Sequence, residues 1–319
     1  MSHRILFTRA LVAAALPIRL LASQDANITM SAARVEMLLR DSALKPVAAQ
    51  GSRFHGDRTE HVLLAFNDTT AFEVKWAVAP RGGEAFNNQP RYEAAAYELQ
   101  KLFLDERDYV VPPTVLRMIP QRVFAASTGL KGEPTFEDSP AVLVALQYWT
   151  AEVTPEGVFD PKRADRDSVY ARHLGDLNIL TYLIRHRDAN KGNMLLSADS
   201  TNPRLFAVDN GVAFNSQPSN RGTDWQNMRV KRVSAATAAR LRSITEATLA
   251  SALGVVAQFE RRGDDYAATS PGPTLDADKG VRRKGTTLQL GLTSDEIAGV
   301  RGRLKELVKD IDRGKIKTF

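Results

Sequence analysis

Cysteine is absent from this 319-residue chain, and histidine is scarce, with five residues. The lack of cysteine excludes disulfide frameworks, iron–sulfur clusters, thiolate zinc sites and a cysteine nucleophile. Any resident metal must therefore be held mainly by oxygen ligands. Beyond the N-terminus, no apolar run approaches the roughly 18–20 residues that span a bilayer, so we expect no transmembrane segment in the mature chain.

A large excess of one charge sign is also lacking. The 43 Lys and Arg residues face 37 Asp and Glu residues, for a net charge of +6. There is no basic stripe interleaved with aromatic residues and no recognition helix, so we expect no nucleic-acid partner. The 43% hydrophobic content excludes global disorder, and the length predicts two domains or lobes.

The N-terminal segment has the layout of a secretory signal peptide. A basic start precedes the apolar stretch 10–18, and the small residues Ala22 and Ser23 follow it. We favour a cleaved signal peptide over residues 1–25, and with it a secreted or periplasmic location over a cytoplasmic one. The alternatives are an amphipathic helix, a transit-like peptide or a wrongly assigned start.

Hydrophobic periodicity predicts an α+β chain. Strands are expected at 61–66, 71–79, 115–119, 141–149, 194–196 and 205–208, and helices at 31–41, 91–104, 176–186, 234–262 and 293–313. Residues 263–284 are expected to form a loop. The order predicts a small β-rich N-terminal lobe at 30–150 and a mainly helical C-terminal lobe at 151–319.

The most informative segment begins at His186 and reads H-R-D-x-x-x-x-N before an apolar strand. Its Asp is Asp188 and its Asn is Asn193; sixteen residues later Asp209 opens Asp-Asn-Gly after another apolar run. Phosphoryl transfer uses a loop Asp that orients the acceptor hydroxyl, and an Asn and a second Asp that ligate Mg²⁺. We therefore predict Asp188 as a catalytic residue and Asn193 and Asp209 as metal ligands. His186 is expected to be structural.

The N-terminal half offers the partners that such a site needs. Lys75 lies in the middle of a predicted strand, where it would bind the ATP phosphates. Glu93 lies near the start of the next helix and is predicted to hold Lys75 by an ion pair, with Glu98 as the competing choice. Lys75 and Glu93 are thus predicted to belong to the catalytic group.

Two further residues are candidate nucleotide contacts. Gln147 lies in the strand 141–149, which is expected to connect the lobes. Gly51 opens a turn at 51–56 that could cover the phosphates. A plain turn is the alternative, because the segment does not match G-x-G-x-x-G.

As a set, these motifs resemble those of atypical members of the protein-kinase-like superfamily. The segment 188–193 and the later Asp-Asn-Gly are similar to motifs of phosphatidylinositol 3-/4-kinase-like and HipA-like kinases. The run 92–99 and the following Val111-Pro112-Pro113 are more similar to the secretory-pathway Golgi casein kinase family, although that family is rich in disulfides. The resemblance covers about residues 60–215. It implies a two-lobed kinase-like fold that uses ATP with Mg²⁺ or Mn²⁺.

The sequence thus predicts an atypical kinase that transfers the ATP γ-phosphoryl group to a hydroxyl of a protein, sugar or lipid headgroup. One alternative is a pseudokinase or nucleotide-binding scaffold without turnover. Another is the same fold with AMP or glutamyl transfer. The basic residues Arg221, Arg229, Lys231 and Arg232 could receive an anionic acceptor or could form a solvated loop and helix start.

Overall fold

The computed structural model describes residues 26–51, 59–67, 69–128, 132–214 and 221–319. The candidate signal peptide at 1–25 lies outside these residues, as does the predicted turn beyond Gly51. None of the helices in the described ranges is long and apolar enough to cross a membrane.

The N-terminal half is built on a five-stranded antiparallel sheet with strand order β1-β2-β3-β5-β4. Its elements in chain order are α1 (Ala32–Asp41), β1 (Lys45–Gly51), β2 (Thr59–Asn67), β3 (Thr70–Val78), α2 (Pro90–Gln100), β4 (Thr114–Pro120), α3 (Gln121–Thr128) and β5 (Ala141–Tyr148), with a 3₁₀ turn at Glu106–Asp108. Strand β1 was not expected from the sequence.

Buried and less buried side chains alternate along β3, so its two faces have different surroundings. Val74 and Trp76 are buried in a core that includes residues of α1, on one side of the sheet. Lys75, between them, must lie on the opposite face, because successive side chains of a strand alternate. That face is where α2 approaches. The apolar alternation of the strand therefore presents Lys75 to α2.

The C-terminal half contains most of the helices. Its elements are β6 (Val153–Thr154), α4 (Pro161–Arg166), α5 (Ser168–Ile184), β7 (Met194–Ser197), β8 (Leu205–Ala207), a 3₁₀ turn (Thr223–Gln226), β9 (Arg232–Val233), α6 (Ala235–Ser243), α7 (Glu246–Leu253), β10 (Ala257–Arg262), β11 (Asp265–Thr269), β12 (Val281–Lys284), β13 (Thr287–Leu290), α8 (Ser294–Asp312) and β14 (Lys317–Thr318).

Helix α5 fixes the start of the segment that carries the chemistry. Its N-cap is Asp167, whose side chain accepts a hydrogen bond from the Tyr170 backbone N–H, and the helix is buried on nearly every side. Its C-cap is Arg185, whose φ of 51° is left-handed. This turn directs the chain into the loop that begins at His186, so a rigid buried helix positions that loop.

The helix predicted at 234–262 forms as α6 and α7 but is wrong beyond residue 253, and the loop predicted at 263–284 is wrong where β11 and β12 form. The chain instead forms a four-stranded antiparallel sheet in the order β11-β10-β13-β12. Phe259, Leu288 and Leu290 give this sheet an apolar face, which packs with Leu116 and Met118 of β4. Burial against the N-terminal sheet decides the structure here. The predicted α+β class is confirmed, and the division near residue 150 stays a prediction.

Candidate active site

Lys75, in the middle of β3, holds together three separate parts of the chain. Its Nζ lies 2.8 Å from Glu93 Oε1 on α2 and 2.8 Å from Asp209 Oδ1, just after β8. The second carboxylate oxygen of Glu93 accepts a hydrogen bond of 2.9 Å from the Asn210 backbone N–H. Glu93 therefore contacts both the ammonium of Lys75 and the segment that carries Asp209.

The charges of this group stabilise each other. Burial by itself lowers the pKa of Lys75, but the carboxylates of Asp209 and Glu93 outweigh that effect and raise the pKa. The nearby Lys75 ammonium in turn lowers the pKa of Asp209. Both residues are therefore charged at neutral pH. Only 14% of the Lys75 side chain is exposed, against 55% for Asp209, so the Asp209 carboxylate remains accessible to a ligand.

Asp188 and Asn193 lie together on the loop between α5 and β7. The Asn193 amide nitrogen donates a 2.7 Å hydrogen bond to the Asp188 carbonyl and lies 3.3 Å from Asp188 Oδ2. The Asn193 backbone carbonyl accepts a 3.0 Å hydrogen bond from the N–H of Val208, next to Asp209. Because the nitrogen of the Asn193 amide is committed to the loop, its oxygen is the atom suited to a cation.

His186 connects the loop to the strand that leads to Asp209. Its Nδ1 accepts a hydrogen bond from the Asp188 N–H, and its Nε2 lies 3.4 Å from the Val208 carbonyl. Burial lowers the pKa of His186 to about 4, so the imidazole is neutral at pH 7. The two contacts assign the hydrogen to Nε2. His186 thus occupies a structural position between the two halves of the site.

The chain after Asp209 returns to the loop. Arg221 Nε lies 3.1 Å from Asp188 Oδ1, and 67% of the Arg221 side chain is exposed. Gly222 donates a 3.0 Å hydrogen bond to the Arg187 carbonyl, and a Cβ atom at position 222 would overlap the His186 carbonyl. Glycine is therefore what allows the returning segment to pack closely against the loop.

The other basic residues of this segment have different surroundings. The Arg229 guanidinium lies 3.7 Å from the centre of the Phe159 ring, and Arg232 donates to the Ala164 carbonyl. Lys231 is exposed. Of these predicted acceptor-binding residues, Arg221 is the one that contacts Asp188.

The remaining predicted residues make other contacts or lie in another strand. Gln147 of β5 is the register partner of Lys75, but it is buried and its amide nitrogen donates to Thr114 Oγ1 at 2.9 Å. Gly51 ends β1, two strands away from β3 in the sheet order. Glu98, the competing choice for the Lys75 partner, pairs with Lys101 instead.

The donor set suits a hard divalent cation. Mg²⁺ takes oxygen ligands, retains several waters and is usually bound by one or two carboxylates together with substrate phosphates. Asp209 offers an accessible carboxylate and Asn193 an amide oxygen. No cluster of three or more His, Asp or Glu ligands occurs among the described residues. The residues therefore fit a cation that is bound together with a phosphate-bearing substrate.

Comparison with known proteins finds a similar fold. No protein-family model matches the chain, and no curated protein sequence matches it. A solved structure of hydra Fam20 with sugar has a similar fold, with a TM-score of 0.50 and 16% sequence identity over 87% of each chain. The expected kinase-like α+β fold is thereby confirmed.

Two contacts of the site were not expected from the sequence. The Asn210 backbone N–H binds Glu93, and Arg221 binds Asp188. A backbone donor leaves no trace in residue identity, so the first contact could not be inferred. The second was open to inference only as one of four basic residues that follow the Asp-Asn-Gly motif.

Proposed function

We propose that this chain is an ATP-dependent kinase that transfers the γ-phosphoryl group to a hydroxyl acceptor with Mg²⁺ or Mn²⁺. The observation that carries the proposal is the contact of Lys75 with both Glu93 and Asp209, each at 2.8 Å. Phosphoryl transfer depends on positioning and electrostatic stabilisation more than on covalent chemistry. A buried ammonium held between two carboxylates, beside an Asp and Asn loop, supplies those requirements.

Each residue has a defined task in this proposal. Lys75 binds phosphate oxygens and Glu93 keeps its ammonium in place. Asp188 accepts the hydrogen bond of the acceptor hydroxyl and takes its proton as the oxygen bonds to the γ-phosphorus and the bond to ADP breaks. Asn193 and Asp209 would hold the divalent cation, which when bound would neutralise charge on the phosphates.

The hydra Fam20 structure contains a sugar, and this guides the order in which acceptors are tested. Among the branches that the sequence resembles, this neighbour favours the Golgi casein kinase-like one. Free sugars and glycans therefore come first in an acceptor panel, followed by acidic proteins and inositol lipids.

The experiment uses two labelled nucleotides in parallel. The chain is incubated with γ-labelled or α-labelled ATP, Mg²⁺ or Mn²⁺, and each acceptor. The proposal expects that the acceptor becomes labelled from γ-labelled ATP and not from α-labelled ATP. This labelling should require Mg²⁺ or Mn²⁺. Label from α-labelled ATP would instead identify AMP transfer and contradict the proposal.

A nucleotide-binding scaffold without turnover is the second candidate. The observation that favours it is the ion pair between Arg221 and Asp188, which occupies one of the two carboxylate oxygens of Asp188. Thermal stabilisation by ATP with Mg²⁺, without ADP formation for any acceptor, would support the scaffold. ADP formation that depends on an acceptor would support the kinase.

A further inference from the structure

A second charged group lies on α2, on a different side of the helix from the Lys75 contact. Arg91 Nη1 lies 2.6 Å from Glu296 Oε2, and Nη2 lies 2.9 Å from Glu296 Oε1. Arg91 Nε lies 2.6 Å from Glu84 Oε2. The side chains of Arg91 and Glu296 are only 6% and 5% exposed, so this two-point pair is almost removed from water.

Glu296 is itself fixed by the start of α8. Its Oε2 accepts a 2.8 Å hydrogen bond from the Thr293 N–H, while the Thr293 hydroxyl accepts one from the Glu296 N–H, which forms a capping box. The Tyr92 hydroxyl also donates to Glu296. Burial by itself raises the pKa of Glu296, but the hydrogen bonds and charge of Arg91 outweigh it and lower the pKa.

The chain between β11 and β12 packs closely over the guanidinium of Arg91. A Cβ atom at Gly280 would overlap Arg91. Arg91 is therefore enclosed by three parts of the C-terminal half: the segment at Gly280, the Gly291 carbonyl at 3.3 Å, and Glu296. Such an enclosed, planar, two-point pair permits little movement of the helix that carries it.

Arg91 and Glu93 are two positions apart on α2, so their side chains leave the helix in different directions. One direction leads to Glu296 and the other to Lys75. Both residues belong to the first turn after Pro90, so a shift of that turn would move both.

We propose that Arg91 is a positioning residue, whose pair with Glu296 ties α2 to α8 and so keeps Glu93 within reach of Lys75. The Arg91–Glu296 pair lies within one chain. Its role in turnover rests on the proposed kinase function, whereas its effect on the geometry of Lys75 does not.

The test measures Lys75 directly. The parent chain and its variants are treated with an amine-acylating reagent at fixed pH, and the labelling rate of Lys75 is followed by peptide mass spectrometry. Glu93→Gln gives the labelling rate of Lys75 when its ion pair with Glu93 is lost. Arg91→Lys keeps the positive charge without the two-point geometry. Arg91→Met with Glu296→Met removes the pair without leaving a buried unpaired charge.

The proposal expects the double variant to label Lys75 at a rate within about twofold of Glu93→Gln, with Arg91→Lys between this rate and that of the parent. Lys101→Met, at the other end of α2, is the matched control and should keep the parent rate. Parent-like labelling in folded Arg91 variants would overturn the proposal. So would Glu93→Gln with an unchanged rate, because the position of Glu93 would then have no effect on Lys75 beyond that of Asp209.

Turnover adds a second measurement if the chain transfers phosphate. Loss of the Arg91–Glu296 pair should lower kcat by about tenfold while the KM for ATP changes less. In a Glu93→Gln background the same substitutions should cause little further loss, because they act through Glu93. Additive losses would contradict the proposal. If no acceptor is phosphorylated, the kinase proposal fails. The labelling rates of Lys75 still decide whether Arg91 is a positioning residue.

Discussion

The ammonium of Lys75 and the carboxylate of Asp209 are in contact at 2.8 Å, across 134 positions of sequence. Both groups are proposed to bind ligands: phosphate oxygens for Lys75 and a divalent cation for Asp209. In the structure each neutralises the other. A nucleotide with its cation would replace this contact with two new ones, so the ion pair keeps the site assembled before the substrate enters.

Asp209→Asn tests the charge of this carboxylate. Asp209 has a φ of 61°, a left-handed conformation that Asn tolerates better than most residues, so the change removes charge without adding backbone strain. We expect phosphoryl transfer to fall by about a hundredfold or more. The chain should stay folded, because Glu93 still pairs with Lys75. Steady-state kinetics with Mg²⁺ would measure this.

Asp264→Asn, in the exposed turn between β10 and β11, is the matched control and should behave like the parent. Retention of full transfer by folded Asp209→Asn would remove Asp209 from the proposed site.

The partner of Lys75 can be tested with two glutamates of the same helix. Glu93→Gln removes the charge beside Lys75 but keeps an oxygen for the Asn210 N–H, and transfer should fall by about tenfold or more. Glu98→Gln changes a residue that pairs with Lys101, and transfer should stay within about twofold of the parent. Equal losses in both variants, measured as kcat at saturating ATP, would contradict the assignment.

Arg221→Gln tests whether Arg221 competes with the acceptor for Asp188. An ion pair with one largely exposed partner is worth about 0.2–1 kcal/mol, so its removal should raise the rate with an uncharged sugar acceptor by a factor of about 1.4 to 5. Lys231→Gln, an exposed residue of the same segment, should leave the rate unchanged. A tenfold loss in Arg221→Gln would instead mean that Arg221 assists transfer.

Asp176 should make stability depend on pH. It is buried on α5 and accepts a 2.8 Å hydrogen bond from Thr237 Oγ1. Burial raises its pKa from 3.8 to about 7. Between these pH values the folded chain keeps a proton that the unfolded chain has released. The free energy of unfolding therefore falls from about pH 4 to about pH 7 and this contribution levels off above.

Asp176→Asn keeps the acceptor oxygen and cannot ionise. Denaturant unfolding should show that Asp176→Asn is about as stable as the parent at pH 4. At pH 8 the variant should be more stable by roughly 2–4 kcal/mol. Asp278→Asn, which is exposed, should show no such gain. An unchanged pH dependence in Asp176→Asn would show that Asp176 is not the source.

Local patterns were enough to name most residues of the candidate site. The spacing of Asp188, Asn193 and Asp209 lies within one stretch of chain, and the alternation around Lys75 placed it in a strand. Glu93 could be proposed from its position in the next helix, but the competition with Glu98 could be decided only by the way α2 packs on the sheet.

The unexpected elements depend on distant partners. The residues of β1 are mostly exposed and do not alternate, so they carry no strand signal. The sheet β10–β13 is stabilised by packing against β4, which no local period reveals. Arg91 and Glu296 are 205 positions apart. The helix at 293–313 was predicted, but no local pattern joins its Glu296 to Arg91.

Transfer of label from γ-labelled ATP by Asp188→Asn, compared with the parent and with the exposed control Asp165→Asn, tests the central claim most directly. Asn can still accept a hydrogen bond but is a poor proton acceptor. We predict metal-dependent transfer by the parent and the control, and a loss of about a thousandfold in Asp188→Asn at an unchanged melting temperature. Equal transfer by the folded Asp188→Asn variant and the parent would contradict the assignment of this site.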